Sequence, residues 1–275
     1  MVDAHVHFWK YNPIKDAWIT DEMGLLQRNF FLQDLQPVLH ENGVTGIIAV
    51  QADQSENETD FLLQLSNKSP FIKGIVGWVD LQNKNLEDKL LYWSEYPVIK
   101  GFRHIVQAES DGFLRKEAFV NGIKLLKSFD FTYDILIYPN QLKEAIQFVN
   151  KYPNQKFILD HCAKPCIRDQ KINEWKIEIK EIAKNENVYC KVSGLVTEAK
   201  WNEWKTEDLY PYLDVVFESF GTDRILFGSD WPVILLSSTY NKWKNLLEKY
   251  MLQFSDEEKQ KVFDTNAIKF YNLNS

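Results

Sequence analysis

Along the chain, short runs of β-branched and aromatic residues alternate with longer stretches whose apolar positions recur at helical spacing. The strand-like runs are "VDAHVHFW", "TGIIAVQ", "IKGIVGWVDL", "IKGFRHIVQ", "TYDILIY", "KFILDHC", "NVYCKVSGL" and "RILFGSDWP". Between them the pattern predicts helices over about 32–42, 56–67, 84–94, 113–128, 140–151, 170–185, 207–219 and 240–251. A last helix near 255–265 follows "FSDEE", where Ser255 and Glu258 have the spacing of a capping box.

Eight strand-then-helix units with no polar linker, repeat or low-complexity tract predict one domain over residues 1–275, a (β/α)₈ TIM barrel. A doubly wound open sheet is the alternative, but no G-x-G-x-x-G or G-x-x-x-x-G-K-[ST] loop follows any strand. The long irregular stretch after the first strand, "KYNPIKDAWITDEMGLLQRNF", carries Trp18 and is expected to help cover a site. Regular alternation in the first strand puts Asp3, His5 and His7 on one face and Val2, Ala4, Val6 and Phe8 on the other. With the polar face inward, those groups must be hydrogen-bonded to one another, hydrated or bound to a metal.

The 275 residues are 45% hydrophobic and 26% charged, as in a globular enzyme, and the net charge of −7 argues against nucleic acid or an anionic membrane as partner. A small-molecule substrate is expected, bound by a protein that is a monomer or homodimer. No run of eighteen apolar residues occurs and a strand begins at Val2, which leaves no room for a leader, so the expected location is the cytoplasm. Cys162, Cys166 and Cys190 are few and odd in number, which suits a reducing compartment; the "HCAKPC" spacing alone is a weak metal signal.

Barrel enzymes place their chemistry at the C-terminal ends of the strands. Polar and titratable residues collect there: His5 and His7, Gln51 and Asp53, Trp78 and Asp80, Arg103 and His104, Tyr138, then Asp160, His161 and Lys164, Ser193, and Asp230 with Trp231. Asp53 and Asp80 read better as turn formers or helix caps, and His40 as a complement to a helix C-terminus. Arg103 and His104 are adjacent, so a regular strand turns only one of them inward.

The ordered set "DAHVHFW", "KGFRHIVQ", "LDHCAKP", "KVSGL" and "FGSDWP" resembles the amidohydrolase superfamily, in its lactonase branch of amidohydrolase-2 type, from Val2 to the final helix. The likeness is greatest to sugar lactonases acting on L-fuconolactone or L-rhamnonolactone. It implies hydrolysis of a cyclic ester to the aldonic acid at the strand C-termini. Only His161 is available as a histidine on the later strands, which argues against a binuclear metal centre, and "KVSGL" lacks the extra histidine of the decarboxylase relatives.

Lactone opening needs an activated water, a stabilised oxyanion and a proton for the leaving ring oxygen. Asp230 is the candidate base and His161 its catalytic partner. His5, His7, His161 and Asp230 form a candidate set for one Zn²⁺. The branch also holds metal-independent lactonases with the same H-x-H, in which these histidines would bind substrate. Arg103, His104, Lys164, Gln51, Tyr138, Trp78 and Trp231 are the candidate substrate-binding residues. The few cationic side chains favour a neutral sugar lactone over an acidic lactone of aromatic degradation, such as a pyrone or muconolactone; a non-catalytic binding barrel is the remaining alternative.

Overall fold

The computed structural model describes residues 1–273. Eight parallel strands, β1 (Val2–Val6), β2 (Gly46–Val50), β3 (Ile72–Gly77), β4 (Ile99–His104), β5 (Thr132–Ile135), β6 (Phe157–Leu159), β7 (Val188–Val192) and β8 (Ile225–Phe227), pair in sequence order. The ring closes where the first and last strands end, through a parallel bridge between Val6 and Trp231 and bonds from His7 N to Trp231 O (2.7 Å) and Asp230 N to His5 O (2.9 Å). Closure and the candidate site therefore share the same backbone. This is a (β/α)₈ barrel.

Outside the strands lie α1 (Leu32–Glu41), α2 (Glu56–Ser66), α3 (Leu86–Ser94), α4 (Glu117–Ser128), α5 (Leu142–Asn150), α6 (Asn173–Ile182), the single turn α7 (Leu195–Glu198), α8 (Thr206–Phe220) and α9 (Tyr240–Tyr250). Their apolar faces pack on the outward residues of the strands. The predicted box forms at α10 (Asp256–Gln260): Glu258 accepts from Ser255 N at 2.8 Å while Ser255 Oγ accepts from Glu258 N at 3.3 Å. The turn α7 and a final helix α11 (Asn266–Phe270) were not predicted, each being too short for helical periodicity to register. Phe270, Tyr271 and Leu273 close the N-terminal end of the barrel against Val2, Ile48 and Leu226. No helix among the described residues is long and apolar enough to cross a membrane.

The first strand departs from the regular alternation expected of it. Val2 pairs with Gly46 and Asp3 with Ile47, but Val6 pairs with Ala49, so β1 carries one extra residue between Asp3 and Val6. Such a bulge shifts the phase of the side chains. Val2 and Ala4 consequently pack inside the barrel with Ile48, Val50 and Val76, Asp3 faces outward to Tyr240 on α9, and beyond the bulge His5 and His7 turn inward.

Candidate active site

At the C-terminal end of the barrel, His5, His7, His161 and Asp230 converge. His7 Nε2 lies 3.1 Å from His5 Nε2 and 3.3 Å from Asp230 Oδ1, and His5 Nε2 and His161 Nε2 each lie 3.9 Å from the same oxygen. His7 Nδ1 bonds the carbonyl of Val50 at 2.8 Å, which requires a proton on Nδ1 and turns Nε2 toward the centre. His161 Nδ1 bonds Ser193 Oγ at 2.9 Å, again turning Nε2 inward.

Two of these residues sit on backbone that ordinary L-residues avoid. Asp230 has φ 60°, and His161, Cys162, Ala163 and Lys164 form a left-handed run with φ from 49° to 56°. The surroundings hold this conformation in place. Gly194, itself at φ 67°, passes so close to His161 that a Cβ there would lie 2.8 Å from the imidazole ring.

Beneath the imidazoles lies a charged layer. Lys191, wholly buried, lies 2.5 Å from Asp134 Oδ2, 3.0 Å from Asp160 Oδ1 and 3.2 Å from His5 Nδ1. Arg103 donates to Asp160 Oδ2 at 2.9 Å and to the carbonyl of Gln51, and its Nη1 stands 3.2 Å from His5 Nε2. Tyr271 from the barrel floor donates to Asp134 at 3.1 Å. The strand pattern gave no signal for Asp134 or Lys191: each is a lone charge in an apolar run whose partners lie on other strands. Inward parity at β5 and β7 is the feature that identifies them.

Burial pushes the His161 imidazole down to about 4 and that of His5 well below its usual range, so both are neutral near pH 7. Burial alone would raise the Asp230 carboxyl, but His161, the hydrogen bond from His7, and His5 outweigh it and hold Asp230 ionised. Asp160 is likewise opposed by burial and held low by Lys191, His5 and Arg103, whereas burial pushes Asp134 up to about 6. The layer and the centre together carry the carboxylates of Asp134, Asp160 and Asp230 against the cations of Arg103 and Lys191.

That surplus of negative charge suits a cation. Ligand atoms of His5, His161 and Asp230 lie within 4.8 Å of one another, and His7 Nε2 adds a fourth at 3.1–3.3 Å from two of them. Donors about 2 Å from a tetrahedral ion stand roughly 3.3–3.5 Å apart, so the set fits one divalent ion. Arg103 Nη1 shares the lone pair of His5 Nε2 that such an ion would use.

The site opens into a cavity of about 260 Å³ lined by His7, Arg103, His161, Lys164 and Asp230 below and by Trp9, Trp18, Ile105, Leu136 and Val233 around the wall. Five residues expected at the substrate are not brought there. Arg103 takes the inward position of β4, so His104 points outward, stacked on Phe113 at 4.6 Å, with Nε2 2.8 Å from Glu109 and Nδ1 3.4 Å from Trp78 Nε1. Trp78 is occupied by that contact. Gln51 turns its amide to the backbone oxygen of Arg103 at 3.3 Å, and Trp231 is buried against Phe8 and Phe30. Tyr138 lies in a separate, wider groove of about 830 Å³ with Lys143, Cys166 and Trp175, which holds none of the converging histidines. Trp18, from the long segment after β1, does line the cavity; Asp80 caps a turn by accepting from Gln82 N at 3.0 Å.

The family described as Amidohydrolase matches residues 2–273. The chain is 34% identical over 284 residues to an L-fucono-1,5-lactonase of Burkholderia multivorans, covering 99% of this chain and 96% of that one. It is 31% identical over 280 residues to an L-fucono-1,5-lactonase of Burkholderia ambifaria, covering 99% and 95%. A crystal structure of a Burkholderia multivorans amidohydrolase with bound zinc superposes with a TM-score of 0.96 at 34% identity, over 99% of each chain. With its barrel and its convergence of histidines and aspartate at the strand ends, this chain belongs to the amidohydrolase family.

Proposed function

We propose that this protein is a cytoplasmic lactonase that hydrolyses a sugar lactone, an aldono-1,5-lactone of the L-fucono type, to its aldonic acid. The observation that carries the reading is Asp230: an ionised carboxylate at the floor of a cavity, in contact with His7 and faced by His5 and His161. The full-length likeness to two L-fucono-1,5-lactonases supports the substrate class.

Asp230 takes a proton from the water that attacks the lactone carbonyl carbon, and returns it to the ring oxygen as the carbon–oxygen bond breaks. The products are an alcohol and a carboxylic acid on one open chain, and the acid releases its proton to solvent as it ionises to the carboxylate. Without a metal, His161 donates from Nε2 to the developing oxyanion while its Nδ1 accepts the Ser193 hydroxyl. Arg103, braced by Asp160 and Gln51, and Lys164 on the rim orient the substrate's oxygens. His5, His7, His161 and Asp230 are the residues that would hold one zinc ion, which when bound polarises the carbonyl and lowers the pKa of water.

Acid release from a panel of aldonolactones and a pyrone dicarboxylate, with and without added Zn²⁺, tests this reading. Turnover of the sugar lactones supports it. Preference for the dicarboxylate, or no turnover of any lactone, rejects it.

A further inference from the structure

Two side chains in the cavity wall are polar but uncharged, and neither belongs to the reacting centre. Gln54 follows β2 and Gln107 follows β4. Gln54 Oε1 accepts the backbone N–H of Ile105 at 2.8 Å, which fixes the orientation of the amide and leaves its NH₂ free to donate. Gln107 is anchored through its backbone N–H to the carbonyl of Leu136 at 3.0 Å, yet its Oε1 is buried and has no partner among the described residues. An acceptor left so costs free energy unless something fills it, and a ligand hydroxyl or a water in the cavity that Gln107 lines can do so.

We infer that Gln54 and Gln107 read the hydroxyl groups of the substrate: Gln54 Nε2 donates to one ring hydroxyl, and Gln107 Oε1 accepts the proton of another. The inference rests on the lactonase reading and deepens it, because it makes a polyhydroxylated ring, not the ester alone, the recognised feature. Elsewhere in the wall Ile105, Leu136 and Val233 offer no side-chain hydrogen bond, so a hydroxyl placed against them would be unpaired. Discrimination follows from both sides: a hydroxyl meets a matched amide, and a ring without hydroxyls leaves Gln107 unsatisfied.

Two lactones of one ring size test this, an L-aldono-1,5-lactone and unsubstituted δ-valerolactone. The quantity read is the ratio of their kcat/KM values, in the wild-type protein and in Gln107→Leu and Gln54→Glu. The second change keeps an acceptor for Ile105 N–H but replaces the donating NH₂, so it remains informative if Gln107→Leu does not fold. The ratio should favour the polyhydroxylated lactone in the wild type and fall about tenfold to a hundredfold in each folded variant. An unchanged ratio in the folded variants overturns the inference. Calorimetric binding of the same two lactones to Asp230→Asn protein, with and without each glutamine change, gives the ratio without catalysis. If the wild type hydrolyses neither lactone, the lactonase reading falls, and the binding ratio still decides between selective recognition by the glutamines and none.

Discussion

Asp3, on the first strand, accepts the backbone N–H of Ser229, at the end of the last, at 2.9 Å. The same oxygen accepts His5 N at 3.0 Å, so one carboxylate ties the bulge that turns His5 inward to the segment that presents Asp230. Asp3→Ala leaves two buried N–H groups unpaired and should lower unfolding free energy by about 2–4 kcal/mol. Asp3→Asn keeps an acceptor and should recover most of that loss. Urea denaturation of both variants measures it; equal loss in both would show that the acceptor is not what matters.

Gly194 makes room for His161. Gly194→Ala combines φ 67° with a Cβ 2.8 Å from the imidazole, so both stability and turnover should fall. Gly43, at φ 65° with nothing within 4 Å of its Cβ position, supplies the control. Gly43→Ala should cost only the backbone term, about 1–2 kcal/mol, with kcat unaffected. Thermal melting and kcat for the two variants separate the terms.

Lys191 neutralises two buried carboxylates. Lys191→Met leaves Asp134 and Asp160 without that cation and should destabilise the fold by about 3–5 kcal/mol. Adding Asp134→Asn removes one of the stranded charges, so the double variant should be more stable than Lys191→Met alone. Chemical denaturation of the two decides it, and strict additivity of two losses would contradict the coupling.

Burial raises the Glu58 carboxyl from 4.5 to about 7, against the hydrogen bond from Ala52 N and the nearby Lys15. The folded protein keeps this proton where the unfolded chain has lost it. The group's contribution is therefore complete below the unfolded value and is lost as pH rises through about 7, a total of about 3 kcal/mol. Relative to Glu58→Gln, the wild type should lose stability between about pH 5 and about pH 8. Parallel slopes in paired melts across that range would refute the assignment.

The barrel was legible because eight strands and their helices keep a strong period, and the site because His5, His7, His161 and Asp230 fall at strand ends. What the sequence concealed depends on interactions across the ring. Period-two alternation cannot show the bulge at β1, which leaves His5 and His7 inward but sends Asp3 out. Nor can it show that Lys191 in "YCKVSG" finds its partners on β5 and just after β6. His104, Trp78, Gln51, Trp231 and Tyr138 end strands or begin loops, but a strand end fixes only neighbourhood; the direction of each side chain is set by what it packs against. Gln54 and Gln107 lie just beyond their strands, where composition alone does not separate a cavity wall from a loop.

The central claim is that Asp230 activates water for lactone opening. It is tested most directly by titrating acid release from an L-aldono-1,5-lactone with wild-type and Asp230→Asn protein, after matched circular dichroism spectra establish equal folding. The wild type should turn over, and the variant should be slower by on the order of 10³-fold. A folded Asp230→Asn protein with activity near that of the wild type would contradict it.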